Sequence, residues 1–158
     1  MHGADPSVRR ARREDLPVII ALLADDEFSR GREGGADEAV AAAFEEIDRD
    51  PNSTVWVLDF EGRVVGCAQL TVMAGLSRRG VKRGLIEGVR IGSDHRGRGL
   101  GRQLIRAIVE MARHAGCGAV QLTTDKRRTD AHRFYLSLGF TMSHEGFKLM
   151  LEEAPRWP

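Results

Sequence analysis

Apolar positions along the chain change period twice, and the changes mark its elements. Ser7–Ala11 reads as a short first strand after a loose tail, Met1–Pro6. Leu16, Ile19, Ile20 and Leu23 then recur at helical spacing, with Asp15 placed as N-cap and Pro17 in the first turn, so a helix is expected to about Asp26. Phe28–Gly35 is charged and glycine-rich and reads as a loop. A second helix over about Asp37–Arg49 sets Val40, Phe44 and Ile47 on one face, and Pro51–Asn52 ends it. From Thr54 the period becomes two. Thr54–Phe60 and Arg63–Met73 are rich in β-branched residues and are joined by Glu61–Gly62, a hairpin signal. Leu76–Arg83 is a basic loop, and Leu85–Ile91 is the next strand.

The helical period then returns. Leu100, Leu104, Ile108, Met111 and Ala115 form an apolar stripe that stops at Gly116. Ala119–Thr124 reads as a buried strand, and about Asp130–Leu138 as a helix stopped by Gly139. Two short strands are expected after it, near Phe140–Ser143 and Phe147–Leu151. The order is β-α-α-β-β-β-α-β-α-β-β. This predicts a mixed α/β domain whose central sheet is mixed but mostly antiparallel and flanked by helices. The hairpins come first, and a parallel strand–helix–strand unit follows.

Length agrees with one domain over 1–158, with 1–6 and 152–158 as loose tails; a chain of 158 residues buries roughly 70% of its unfolded surface, enough for one core. A net charge of +1 leaves no bulk field toward nucleic acid or membranes, so any anion preference must come from local clusters. Those clusters are Arg78–Arg83, Arg96–Arg102 and Lys126–Arg128. The two cysteines, Cys67 and Cys117, make neither a disulfide framework nor a metal or redox pair, and they read as reduced, buried thiols. No basic, apolar leader opens the chain, and its longest apolar run, near Leu16–Ala24, is too short to span a bilayer. A cytoplasmic protein without a membrane partner is expected.

Candidate chemistry concentrates after the strand Leu85–Ile91. The segment Arg96-Gly-Arg-Gly-Leu-Gly101 opens an amphipathic helix, where main-chain N–H groups lack intrahelical partners and the helix dipole favours an anion. Gly97, Gly99 and Gly101 let the backbone approach a bulky phosphate, and Arg96, Arg98 and Arg102 add cations. Such a turn suits a pyrophosphate. It is not a Walker A loop, because no Gly-Lys-Ser/Thr follows. Nor is it the dinucleotide fingerprint, because Arg102 stands at the third glycine position. His144-Glu145 lacks the second histidine of HExxH, and His2, His95 and His114 show no ligand spacing, so no metal is expected. Read alone, the same stretch is also compatible with a plain glycine turn carrying solvated arginines.

The sequence resembles the GNAT superfamily of N-acetyltransferases. Arg96-Gly-Arg-Gly99-Leu-Gly101 is similar to that family's (Gln/Arg)-x-x-Gly-x-(Gly/Ala) signature, and Ala131-His-Arg-Phe134-Tyr135-Leu-Ser-Leu-Gly139-Phe140 is similar to its second signature. One helix and one strand separate the two, as in the family, and the resemblance runs from about Ser7 to Leu151. It implies a GNAT-like fold and acetyl-coenzyme A as co-substrate. The pyrophosphate would be bound by Arg96, Gly97, Arg98, Gly99, Leu100, Gly101 and Arg102, chiefly through main-chain N–H groups. Val89, Arg90 and Ile91 would line the pantetheine arm, between two strands that splay apart. Tyr135 would give a proton to the leaving thiolate. Many relatives carry an asparagine near the start of the last helix, where this chain has Lys126-Arg-Arg128-Thr-Asp130; Arg128 is taken instead as the candidate for a coenzyme phosphate.

Residue chemistry sits well beside this. A lysine-like amine is mostly charged at neutral pH, and deprotonating it costs roughly 4 kcal/mol, so a carboxylate near the acetyl group would assist. Glu87 is the candidate base, since strand alternation puts it on the face of Leu85, Val89 and Ile91; a strand-end glutamate paired with an arginine is the competing reading. Tyr135 has a competing reading as a packed core tyrosine, and His132 reads as a helix-face histidine. The acceptor is a small-molecule or peptide amine, and the basic loop Arg78, Arg79, Lys82 and Arg83 suits one that also carries a carboxylate or phosphate. The alternative function is an acyl-coenzyme A sensor with little catalysis. Nucleic-acid binding is disfavoured by the charge balance and by having only six phenylalanines, two tryptophans and one tyrosine for stacking. Family habit also implies a possible homodimer.

Overall fold

The computed structural model describes residues 5–26 and 38–152. The expected loop Phe28–Gly35 and most of both expected tails lie outside the described residues. By their contacts the described residues group into two compact units, one reaching to Leu122 and one starting at Thr123, and each is treated by itself.

In the first unit, β1 (Ser7–Arg10), β2 (Ser53–Phe60), β3 (Arg63–Met73), β4 (Lys82–Ile91) and β5 (Cys117–Gln121) form one sheet in the order β1-β2-β3-β4-β5. Neighbours are antiparallel up to β4, and β4 pairs with β5 in parallel. The mixed, mostly antiparallel sheet flanked by helices is therefore the one the sequence predicts. The β2–β3 hairpin turns at Glu61 and Gly62, both left-handed (φ 52° and 76°), as a two-residue turn matched to strand twist requires.

Both sheet faces are covered. Val57 and Leu58 are adjacent on β2 and both fully buried, and adjacent strand residues point to opposite faces. Val57 joins Cys67, Ala11, Leu16, Ile19, Leu22 and Phe44 in a cluster supplied by α1 (Leu16–Ala24) and α2 (Glu38–Arg49). On the other face lies α4 (Leu100–His114), with Leu100, Leu104, Ile105, Ile108 and Ala112 buried. Burying side chains of this size is worth about 1.5–3 kcal/mol each. The expected stripe omitted Ile105 and Ala112 and included Ala115, which is exposed at the helix end. At Gly84 of β4 an added Cβ would lie 3.1 Å from Leu70 and 3.4 Å from Ala112, so helix and sheet approach closely because no side chain intervenes. Between β3 and β4, α3 (Ser77–Gly80) is a single turn in which Arg78 and Arg79 hold left-handed angles (φ 51° and 61°).

Two local expectations are corrected. Asp15 does not cap α1 with its side chain. Its buried carboxylate turns back to take Arg12 N–H (2.7 Å) and both terminal nitrogens of Arg9 (2.7 and 2.9 Å). Arg9 Nε also donates to Asp59 Oδ2 (2.5 Å), so one guanidinium joins β1, β2 and the entry to α1. A bidentate pair with a guanidinium outweighs a single bond from a helix N–H, which is why the carboxylate faces that way. The strand expected at Ala119–Thr124 runs instead as Cys117–Gln121, with Gly118, Ala119 and Gln121 exposed, because β4 is its one strand neighbour in this unit.

The second unit contains α5 (Thr129–Ser137), which stops at Gly139 (φ 91°). The strands expected near Phe140–Ser143 and Phe147–Leu151 are not formed. A strand is held by main-chain bonds to another strand, and within this unit α5 offers none. Met142, Phe147, Leu149, Met150 and Leu151 accordingly stand exposed.

The Arg9 guanidinium and the Arg12 N–H hold the Asp15 carboxyl below its ordinary value of 3.8, against the opposing pull of burial. A folded value below the unfolded one stabilises at neutral pH, and that contribution is lost as pH falls below about 4. Asp15→Asn should cost about 2 kcal/mol in urea unfolding at pH 7. The gap to the parent protein should shrink progressively at acid pH; a constant gap would contradict the pairing.

Candidate active site

The site is built on β4. Across β3–β4 the register runs Gln69 to Glu87 and Cys67 to Arg90, so three steps on β4 oppose two on β3. The extra residue is a β-bulge, accommodated by Gly88 in the left-handed region (φ 60°). Beneath it the Cys67 thiol donates to Gly88 O (3.5 Å), and burial pushes that thiol up to about 12 although Arg90 pulls the other way.

Three residues before Gly88, β4 loses its neighbour on one side. Pairing with β5 ends at Leu85–Gln121, whereas β4 continues to Ile91. Gly92 N–H donates to Val65 O (2.9 Å), and by ladder alternation the main-chain groups of Ile91 point away from β3 toward the open side. The Val89 carbonyl accepts from Arg90 Nη1 (2.8 Å) and the Ile91 carbonyl from Arg96 Nε (3.1 Å). The N–H group of Ile91 faces the opening.

The turn after β4 leads directly into α4. A 3₁₀ turn, Ser93–His95, is followed by Gly97 and Gly99, both left-handed (φ 75° and 77°) and both with open space where a Cβ would stand. Gly99 is the N-cap of α4, no side chain caps it, and the first turn holds no acid. The first N–H groups of α4 therefore remain for an outside anion, at the positive end of a 15-residue helix. Leu100 is buried and anchors that first turn, while Arg98 is exposed and Arg102 half-buried. Strand opening and glycine turn are thus contiguous in one unit.

Arg96 behaves differently from the expectation. Its guanidinium does not extend as a free cation beside the turn but folds back onto Ile91 O and onto Asp25 O (2.9 Å), with Asp25 Oδ2 at 3.7 Å. The Asp25 carboxylate also accepts Ser93 N–H (2.9 Å). Asp26 lies 3.7 Å from Arg90. Neither acid was singled out from sequence. The available signal was two acids immediately after an apolar helix, at the end where its dipole disfavours them.

Glu87 also departs from expectation. It is exposed, opposite Gln69, and the bulge breaks the strict alternation that placed it in one row with Val89 and Ile91. Of the basic segment, Arg78 and Arg79 lie in α3 and Lys82 and Arg83 at the start of β4, paired near Cys117 and Ala119; six residue steps lead from Arg83 to Val89, about 20 Å along a strand.

In the second unit, α5 carries Arg128 as its N-cap and Tyr135 near its end. The Tyr135 ring packs edge-on against Phe134 (5.1 Å) and Phe140 (5.6 Å). His132 Nε2 lies 3.1 Å from Asp125 O, so the ring closes the loop before α5, as a helix-face histidine would. The Asp125 carboxyl is held well below the usual carboxylate range by bonds from the Arg127 side chain and main chain. Among the described residues no group of histidine, cysteine or acidic side chains could hold a metal ion, and no helix is long and apolar enough to cross a membrane.

Comparison with known proteins agrees with this architecture. Residues 17–140 match the acetyltransferase (GNAT) family, and the chain belongs to it. It is an acetyl-coenzyme A-dependent N-acetyltransferase. An aminoalkylphosphonate N-acetyltransferase of Salmonella typhimurium is 30% identical over 145 residues, 89% of this chain and 88% of that one. A crystal structure described as a transcriptional regulator from Bacillus halodurans C-125 superposes with a TM-score of 0.89 at 41% identity, covering 93% of this chain and 100% of that one. A putative acetyltransferase from Agrobacterium tumefaciens gives 0.82 at 33% identity, over 91% and 99% of the two chains.

Both cysteines are free, with Cys67 buried and Cys117 only half-buried, so the expectation of two buried thiols holds for one. A thiol reagent at pH 8 should modify one cysteine per native chain, Cys117, and two after unfolding. Fast labelling of both in the native protein would contradict the buried position of Cys67.

Proposed function

We propose that this chain transfers the acetyl group of acetyl-coenzyme A directly to a primary amine. The observation that carries the reading is the continuity of the one-sided opening of β4 with the uncapped, glycine-lined start of α4. In this reading the main-chain N–H groups of Arg96–Gly101 and the first turn of α4 hold the pyrophosphate, with Arg98 and Arg102 adding positive charge. The N–H groups of Val89 and Ile91 bond the pantetheine arm and polarise the thioester carbonyl. Fixed N–H donors aimed at a carbonyl that becomes an oxyanion favour the transition state over the ground state.

The neutral amine attacks the thioester carbon, the C–N bond forms, and the C–S bond breaks with its electron pair going to sulfur. Tyr135 supplies the proton that the thiolate takes up, a role that rests on its place in the second signature. Arg128 meets a coenzyme phosphate on the same basis. Glu87 assists loss of the amine proton, and its exposure favours a relay through water over direct contact. Free cysteines fit a cytoplasmic enzyme.

The acceptor is a primary amine. The aminoalkylphosphonate enzyme among its relatives makes small amines that carry a phosphonate the first acceptors to test. Lys82 and Arg83, at the far end of β4 from Val89, are too distant along the strand to hold the anionic end of so small a molecule at the thioester.

Calorimetric titration with acetyl-coenzyme A should show binding, and a free-thiol release assay should show amine-dependent turnover with small amines such as aminoalkylphosphonates. Tight binding with no release on any amine would mean a sensor, and no binding would sink the reading. Tyr135→Phe should lower kcat about a hundredfold and leave the KM for acetyl-coenzyme A within about twofold. A large rise in KM at normal kcat would make Tyr135 a binding residue.

A further inference from the structure

We infer that Asp25 is a positioning residue for the anion-binding turn, one that sets the enzyme's preference for a donor carrying a pyrophosphate. The inference rests on the reading of that turn given above. Asp25 follows directly on α1, where a negative charge meets the negative end of the helix dipole, and no basic residue in the last turn offsets it. Its neighbour Asp26 repeats the disfavoured choice. Two acids at such an end contradict local propensity, and each finds its compensation across the unit, Asp25 at Arg96 and Asp26 at Arg90.

The geometry shows what Asp25 accomplishes. Its carboxylate Oδ2 accepts Ser93 N–H at 2.9 Å, at the first residue of the 3₁₀ turn, and its main-chain carbonyl accepts Arg96 Nη2 at 2.9 Å. Arg96 Nε simultaneously holds Ile91 O at 3.1 Å. The turn is then closed internally by His95 N–H to Gly92 O and Arg96 N–H to Ser93 O. Both ends of the segment that precedes Gly97 and Gly99 are therefore tied to one residue at the end of α1. Gly97 and Gly99 have no side chain, and nothing lies within 4 Å of a Cβ built on them, so their own surroundings do little to fix the direction of their N–H groups. What fixes it is the segment before them, and Asp25 holds that segment.

Magnitudes decide which part of Asp25 matters. The ion pair to Arg96 is 3.7 Å long between half-exposed groups, and exposed pairs of that kind contribute little. The hydrogen bond to Ser93 N–H, at 2.9 Å, has full hydrogen-bond length and is directional. Asparagine retains an oxygen that can accept it, while alanine does not. A positioning role thus predicts rescue by the uncharged isostere, which a purely electrostatic role does not.

The test compares two donors. Acetyl-coenzyme A carries the pyrophosphate, and S-acetylpantetheine carries the same thioester and arm without it. Asp25→Ala should raise the KM for acetyl-coenzyme A about tenfold with kcat within twofold, and leave kcat/KM for S-acetylpantetheine unchanged. Asp25→Asn should stay within about threefold of the parent on both donors. Ser93→Pro removes the same hydrogen bond from the donor side at the first position of a 3₁₀ turn, where proline fits, and follows a residue whose extended backbone (Gly92, φ −54°, ψ 141°) tolerates it. It should reproduce Asp25→Ala, and the double variant should be no worse than either single one. Ser93→Pro also keeps the test open if Asp25→Ala fails to fold. An unchanged KM in Asp25→Ala or Ser93→Pro, an equal loss on both donors, or an Asp25→Asn as impaired as Asp25→Ala would each overturn the assignment. A parent enzyme that does not prefer acetyl-coenzyme A over S-acetylpantetheine would instead overturn the reading of the turn itself.

Discussion

The candidate site follows from the unequal pairing of β4. On one side it is hydrogen-bonded to β3 along nearly its whole length; on the other it is hydrogen-bonded to β5 only from Lys82 to Leu85. Main-chain N–H and C=O groups must find partners, so a strand that stops being paired halfway leaves a row of directed donors beside a gap. The bulge at Gly88 falls just past the last β5 pair, at Leu85, and it adds local twist to the part of the strand that borders the gap. A ligand that is itself extended and amide-bearing can complete such an edge in the way another strand would. A glycine turn at the far end of the same strand then supplies donors for charge.

The remainder of the first unit serves to hold β4 rigid. Its α1 and α2 face is closed by Cys67, Val57 and Phe44, and its α4 face by Ile86, Leu104 and Ile108, all buried. A strand packed on both faces cannot shift without opening two cores. Farther away, the Arg9 guanidinium ties β1 and β2 to the start of α1 through Asp59 and Asp15. The start of α1 is thereby fixed by one ion cluster and its end by another, at Asp25 and Asp26. A helix pinned at both ends is a stiff arm, and the turn that it holds at Ser93 inherits that stiffness.

How much of this could be read from the chain depends on the range of the interactions involved. The β2–β3 hairpin, α4 and the glycine turn were legible because their signals are local: Glu61–Gly62 between alternating runs, a stripe at helical spacing, glycines at 97, 99 and 101 ahead of it. The ordered pair of signatures carried the family for the same reason. What escaped were choices made by distant partners. Asp15 has the sequence of an N-cap, yet a guanidinium six residues earlier outbids the helix for its carboxylate. Glu87 belongs to an apolar row only if alternation is unbroken, and the glycine that follows it, Gly88 (φ 60°), takes up a bulge that shifts the register against β3. The two short strands expected near Phe140–Ser143 and Phe147–Leu151 are not formed, since a strand needs a neighbour to bond and a local stretch of chain does not name one.

Arg96 shows how the same limit bears on function. In sequence it is one of three arginines interleaved with glycines, and all three invite the reading of a cation for phosphate. The structure divides them. Arg98 is left exposed beside the turn, while Arg96 spends its donors on Ile91 O and Asp25 O. An arginine with both faces of its fork engaged by carbonyls gives an anion little beyond a diffuse field, whereas main-chain donors at a helix start cost nothing to aim once the turn is held. The charge at position 96 is therefore better understood as a consequence of geometry than as a ligand. A guanidinium is the side chain long enough, and with enough donors, to reach from the turn to the end of β4 and the end of α1 at once.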